Sequence, residues 1–493
     1  MCRTAAISST PTPSRWGAPS PDACGSEPAP RAALSRAGGL CSPYPSPLEV
    51  LHAPLRAPVA PVAPVAPVAR ALALALATCP AALAAGCSAE TATAPSEDGA
   101  DVAITSNDGK LFDFSFESEL IAPRETPART AIVAQLQYVQ GALTTDVSGN
   151  AQIGLVSVTN VVESDAGGGN KRVRYAAVLP VIWPKTRATP SAYTLVVPRD
   201  TTALSAFNRK YDGRCGKNEY GVDTFWHDFN PKASGCTVDA TDAVKSEVKI
   251  TRSAKETTGK YPEYDQVLAD DAIDVVAVFG IISSNTPNDE GAREMENVLA
   301  ETERGLTGVV RKEGEASRSV IRSTLLTGTV DVGGRARKVT LTAMLTEELA
   351  AAGPDFDALY GPASEKADLI VYSGHSGLGR NIDSLAARTK VVAGKYQLVY
   401  LNGCQSFAYL GRGFHDKKIA ANGAAKDPDG TKYLDFVANA LPAYGDNGAT
   451  GLLLYRALLK QDAPQTYNDL LKSFPRVHLA AVFGEDDNTF RPR

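Results

Sequence analysis

A histidine and a cysteine close two apolar runs of this chain. His375 ends the first within Asp368–Gly379, DLIVYSGHSGLG, and Cys404 ends the second within Tyr396–Ser406, YQLVYLNGCQS. A thiol with an ordinary pKa of about 8.5 is mostly protonated at neutral pH, and a neighbouring imidazole that stabilises the thiolate raises its reactive fraction. Two such groups side by side would attack a carbonyl carbon and return a proton to the leaving group. Gly374, Gly377, Gly379 and Gly403 let the backbone turn sharply there and approach a substrate without Cβ clashes.

Positioning that pair takes a sheet. The runs LIVY and LVYL before His375 and Cys404 are uniformly apolar, as in strands buried on both faces. Upstream, DAIDVVAVFGII reads as another such strand, EGAREMENVLAETERGL as an amphipathic helix and LTAMLTEELAAAG as a second helix. Strands alternating with helices predict an α/β domain over 270–493 with a mainly parallel sheet, whose chemistry gathers at the carboxyl ends of the strands. The segment 106–250 reads differently. KLFDFSFE, TAIVAQLQYV, AQIGLVSVTNVV, RVRYAAVLPVIW and AYTLVVPR are short strand-like runs between turn residues, which predicts an all-β sandwich.

The two strand ends, Ser-Gly-His and Asn-Gly-Cys, resemble those of the caspase-like cysteine peptidases, the group that includes gingipains, clostripain, metacaspases and legumain. The resemblance implies a mainly parallel sheet flanked by helices, with the histidine and the cysteine on adjacent parallel strands. It implies Cys404 as nucleophile, His375 as general base and acid, and an oxyanion hole from backbone around Gly374, Ser376 and Gly403. A peptide or protein is then the substrate, with no cofactor and no metal. Ser376 stands where that family usually has glycine.

Two other readings compete. Gly374-His375-Ser376-Gly377 is close to the nucleophile elbow of serine α/β-hydrolases, with Ser376 as nucleophile and Asp446 and His478 as partners; Leu378 occupies the elbow's last position, where glycine is needed. The third reading is a non-catalytic surface binding lipoprotein with a degenerate peptidase fold.

The first 87 residues read as a leader. Residues 1–70 are rich in Pro, Ala and Ser, with APV recurring from Ala57 to Val68, which cannot build a packed core. After Arg70 comes ALALALATCPAALAA, a short apolar stretch of the secretory kind. Leu83-Ala84-Ala85-Gly86-Cys87 resembles the lipobox of bacterial lipoproteins, which implies lipidation at Cys87, a polar tether over 88–105 and a membrane partner reached through that lipid. Translation is expected to begin near Val65 or Val68. The chain is expected in the cell envelope, anchored at the outer membrane or cell surface. A net charge of -5 argues against nucleic acid as a partner.

Export changes the reading of the cysteines. Cys215 and Cys236 bracket a Gly- and Asn-punctuated loop and are expected to form a disulfide, contributing about 3 kcal/mol through loop closure. A metal site adding His227 is the rival, though the spacing matches no common zinc set. Cys404 then remains a free thiol. Phe225-Trp226-His227 reads as aromatic packing beneath the disulfide or as a carbohydrate or peptide contact, and His415 as an exposed loop residue or a cleft residue. Asp383, Asp435 and Asp446 are candidates to bind a basic substrate side chain. No phosphate-binding Gly-rich loop with its lysine is present, so no nucleotide is implied.

Overall fold

The structure, a computed structural model, describes residues 103–283 and 288–492. The leader over 1–87, the lipidation candidate Cys87 and the tether up to residue 102 lie outside the described residues. The last tether residues are described, and they are built into the fold. Ile104–Thr105 form strand β1, buried and paired antiparallel with the C-terminal strand, Ile104 opposite Phe483.

Alternation builds the first sheet. Along Gly109–Pro123 (β2) every second residue from Phe112 to Ala122 is buried, the period of a strand with one covered face. With it go β3 (Asn150–Ala151), β4 (Ser157–Gly167), β5 (Asn170–Pro184), β6 (Tyr193–Pro198) and β7 (Ala243–Arg252). β5 pairs with β2 along its whole length and also carries β3 and β4, while β7 joins β2 to β6. This corrects the expected β-sandwich over 106–250. The strands form one antiparallel sheet, and the layer packed on it is helix α1 (Ala128–Val147). TAIVAQLQYV, expected as a strand, lies within α1. Ile132, Leu136, Val139 and Leu143 recur at steps of three and four, which puts them on one helical face, buried in one core with Phe114, Tyr175 and Leu179. Trimming Leu136 to alanine would cost about 2–5 kcal/mol.

The second sheet holds β8 (Ala272–Gly280), β9 (Thr307–Glu313), β10 (Arg322–Val332), β11 (Arg335–Thr346), β12 (Leu369–Ser373), β13 (Gln397–Asn402), β14 (Leu434–Asn439) and β15 (Ala480–Phe483). Its order is β1-β15-β14-β13-β12-β8-β11-β10-β9. The five strands from β14 to β11 run parallel, and the outer four pair antiparallel, so the sheet is mixed rather than mainly parallel. One cause is local. Gly333 and Gly334, with φ of 61° and 76°, turn β10 straight back into β11 as a two-residue hairpin. LTAMLTEELAAAG, expected as a helix, runs instead through the end of β11 into a short turn. Its helix-forming residues yield to a position between β8 and β10, where packing decides.

Helices cover both faces. The helix expected from EGAREMENVLAETERGL is α3 (Glu290–Arg304), capped by Asp289, whose carboxylate accepts from the N–H of Gly291 at 2.8 Å; α2 (Leu204–Tyr211) precedes it in the antiparallel region. α4 (Pro354–Lys366), α5 (Arg380–Arg388), α6 (Gly413–Asn422) and α7 (Ala449–Leu458) follow. Successive β8 residues alternate between two cores. Val275 and Ala277 pack with Met295 and Leu299 of α3 and Leu452 of α7, and Val276 and Val278 pack with residues of α4, α5 and α6 such as Phe356, Leu385 and Phe414. The result is a large mixed sheet between two helical layers. Among the described residues no helix is long and apolar enough to cross a membrane.

Candidate active site

Register places the histidine and the cysteine. Ser373 at the end of β12 is paired with Asn402 at the end of β13, and His375 and Cys404 each lie two residues beyond. Neighbouring strands are about 4.8 Å apart, so the two residues follow adjacent carboxyl ends at matching register. Both line a cleft of about 210 Å³, together with Ile282, Glu290, Glu294, Ser373, Asn402 and the loop Ala443–Gly445.

Glycine lets these ends converge. A Cβ on Gly374 would stand 3.0 Å from the backbone N and Cα of Gly280, and one on Gly403 would stand 3.2 Å from the Gly374 carbonyl and 3.4 Å from the Ser376 nitrogen. Any side chain at either position would spread the strand ends. After His375 the chain runs through Gly377, Leu378 and Gly379 with φ of 60°, 52° and 98°. That left-handed run throws the half-buried Leu378 against the core of the antiparallel region.

His375 is exposed, and its Nε2 lies 3.1 Å from the Ile282 carbonyl. Its own carbonyl accepts from Tyr372 Oη at 2.5 Å and Asn381 Nδ2 at 2.8 Å, which fixes the peptide unit leading to Ser376. Cys404 is half-buried and is a free thiol, its Sγ 3.6 Å from the Ala443 carbonyl. Beneath them lies a polar chain. Asn439 Nδ2 donates to Asn402 Oδ1 at 2.9 Å, Asn402 Nδ2 donates to Ser373 Oγ at 3.1 Å, and Ser373 Oγ donates to Glu294. Burial pushes the Glu294 carboxyl up to about 7, helped by the nearby Asp446 and Glu290 charges. Glu290 from the same helix packs its carboxylate against Gly445.

The residues of the serine reading are not brought together. Ser376 is buried at the Gly403 contact, in ordinary right-handed backbone. Asp446 accepts from the Thr450 N–H at 3.1 Å and from its hydroxyl, at the start of α7. His478 is buried, which lowers its pKa, and its Nε2 accepts from the Tyr444 N–H at 3.1 Å. Among the described residues neither is hydrogen-bonded to Ser376.

The acids expected to face a basic substrate also lie elsewhere. Asp383 is exposed on α5. Asp435 is buried at the amino end of β14, where Oδ2 accepts from Tyr396 Oη and Asn488 Nδ2, each at 2.6 Å, and from Tyr467 Oη. Asp446 neighbours Glu294 without lining the cleft. The cleft's carboxylates are Glu290 and Glu294, which in sequence are two of several acids along an amphipathic helix. Their spacing of four placed them on one side of the helix. His415 is neither an exposed loop residue nor a cleft residue. It is fully buried in α6 against Phe436, and burial lowers its pKa to about 4.

Cys215 and Cys236 are joined in a disulfide, so neither is available to a metal. Phe225 and Trp226 are buried in the core behind it, and His227 Nδ1 lies 3.0 Å from Asp228 Oδ1. No protein-family model matches the chain, and no curated protein is similar to it.

Proposed function

We propose that the chain is a caspase-like cysteine peptidase, carrying its dyad at the carboxyl ends of β12 and β13. One observation carries the reading: His375 and Cys404 stand two residues beyond a register-matched pair on adjacent parallel strands and open onto one cleft. A carbonyl oxygen only accepts, so the His375 Nε2 contact to Ile282 leaves Nδ1 to take the thiol proton. The Cys404 thiolate then attacks the scissile carbonyl carbon. The Gly374 N–H donates to the Asn402 carbonyl at 3.3 Å, so backbone N–H groups at His375–Ser376 and Gly403–Cys404 stabilise the oxyanion. The C–N bond breaks, His375 returns the proton to the leaving amine, and an acyl-enzyme thioester remains. His375 then takes a proton from water, whose hydroxide releases the acid and restores the thiol.

Glu290 lines the cleft and favours a positively charged substrate side chain there; Glu294, buried and lifted to about 7, adds its charge only as it ionises. Lipidation at Cys87 would hold the enzyme at the cell envelope. The test is chemical: iodoacetamide should abolish peptide hydrolysis and label Cys404, while a serine-directed organophosphonate should not. Inactivation by the organophosphonate with label on Ser376 would replace this reading with the hydrolase.

A further inference from the structure

The residue after the proposed nucleophile has an unusual backbone. Gln405 has φ of 54°, left-handed for a residue with a side chain, and it is fully buried. Such a conformation is strained and persists only where the surroundings over-determine it. Within its own region, its N–H donates to the Leu441 carbonyl at 3.1 Å and its Oε1 accepts from Tyr409 Oη at 3.1 Å. The shortest contact comes from outside that region. Gln140 Nε2, on α1 and 265 residues earlier, donates to the same Oε1 at 2.7 Å.

Gln140 is itself held in place. It is buried, and its neighbour Gly141 has no room for a side chain, because a Cβ there would press on the Trp226 carbonyl and lie 2.9 Å from that of His227. Trp226 in turn sets its ring edge-on to Tyr409 at 6.3 Å, and the loop that carries it is closed by the Cys215–Cys236 disulfide. Helix α1 thus reaches the residue that follows the thiol directly, and the disulfide loop reaches it through Tyr409.

We propose that Gln140 is a positioning residue for the Cys404 thiol, holding the strained Gln405 turn so that thiol and imidazole stay aligned. It touches no substrate, so it should act on turnover and not on binding. The inference rests on the reading of Cys404 as nucleophile. A misplacement of about 1 Å in a reactive group costs up to about 10²-fold.

The experiment uses Gln140→Met, which keeps length and apolar volume and removes the donor. Expected are a kcat reduced about tenfold or more, KM within about twofold, and alkylation of Cys404 by iodoacetamide slowed in parallel, with an unchanged circular dichroism spectrum. Tyr409→Phe removes the other donor to Gln405 while keeping the ring that meets Trp226. It should reproduce the effect in smaller measure, and it decides the matter if Gln140→Met does not fold. Unchanged kcat and alkylation rate in a folded variant would overturn the positioning role. Alkylation is measured whether or not the protein cleaves peptides, so the two ideas fail separately: wild-type Cys404 reacting no faster than a free thiol sinks the peptidase, and equal rates in wild type and variant sink Gln140.

Discussion

The two ends of the large sheet both bury carboxylates, yet they differ in what surrounds them. At the amino end of the parallel strands, Asp435 is enclosed by Tyr396, Tyr467 and Asn488, and burial lifts its pKa to about 7. Glu485 nearby is lifted to about 8 by burial, with Thr257 donating to it at 2.7 Å. At the carboxyl end, Glu294 is lifted to about 7 by the same cause, but it borders an open cleft with a free thiol and an exposed imidazole. A shifted carboxyl alone therefore does not mark a site. Open volume beside a free thiol and an imidazole makes the difference; at the amino end the carboxylates are enclosed by hydrogen-bond donors instead.

The largest effects should fall at the carboxyl end. Cys404→Ala should abolish peptide hydrolysis in a folded protein, because a small apolar group replaces a half-buried thiol. His375→Ala should lower kcat by about 10²–10⁴-fold, the usual contribution of positioned acid–base catalysis. Ser376→Ala should change kcat less than threefold if only its backbone acts, a limit of the order seen for groups outside the reacting set. Steady-state kinetics on one peptide series checks all three. A silent Cys404→Ala would end the comparison.

A crossed pair of variants sharpens it next. Glu294→Gln keeps an acceptor for Ser373 and removes a carboxyl that ionises only above about pH 7. At pH 8 the change should therefore weaken kcat/KM for peptides with lysine or arginine in the cleft about tenfold and at pH 6 much less, leaving thermal stability nearly unchanged. Asp435→Ala should do the reverse. It leaves two buried phenols and an amide without their acceptor, at a cost of about 2–4 kcal/mol, and should leave kcat of the folded enzyme alone. Thermal melts and kinetics on both proteins decide whether the ends are separable.

Much of the carboxyl end was legible in the sequence, for a physical reason. His375 and Cys404 interrupt uniformly apolar runs beside glycines, and both signals are local. The Cys215–Cys236 bridge followed from spacing and the expectation of export. Elements whose state is set at long range misled. LTAMLTEELAAAG is made of helix formers and becomes a strand because β8 and β10 flank it. TAIVAQLQYV carried a helical period that its β-branched and aromatic residues obscured. Glu294, Gln140 and the buried His415 owe their surroundings to partners tens to hundreds of residues away, which no local pattern encodes.

Stability against pH tests the amino end directly. Asp435 and Glu485 titrate near 7 and 8 in the native protein, while an unfolded carboxyl titrates near about 4. Between those values the native state holds protons that the unfolded state has released, so stability is lost as pH rises from about 5 to about 8. His415 acts in the other direction. Its native pKa near 4 lies below the unfolded value of about 6.5, so its contribution is lost as pH falls through that window. Melts at pH 5, 7 and 9 should show Glu485→Gln flattening the alkaline limb and His415→Leu flattening the acid limb. A Glu485→Gln protein with the wild-type alkaline limb would remove that residue from the account.

Leu378→Gly should cost little stability, because opposing terms of similar size nearly cancel. Leucine at φ of 52° is strained, and glycine relieves about 1 kcal/mol of it. The same change removes a half-buried side chain from the core of the antiparallel region, which costs about 1–2 kcal/mol because the site is only partly enclosed. Added backbone freedom in the unfolded chain subtracts a further amount of roughly 0.5 kcal/mol. The net loss should therefore be about 0.5–1.5 kcal/mol, readable in urea unfolding. Kinetics carry the finer distinction. If Leu378 only fills space, kcat stays at the wild-type value; if its anchoring in the other region sets the direction of the His375 turn, kcat falls several-fold while KM holds. The second outcome is expected, since Leu378 packs its side chain on the core of the antiparallel region between Gly377 and Gly379, which have no side chains to hold the turn.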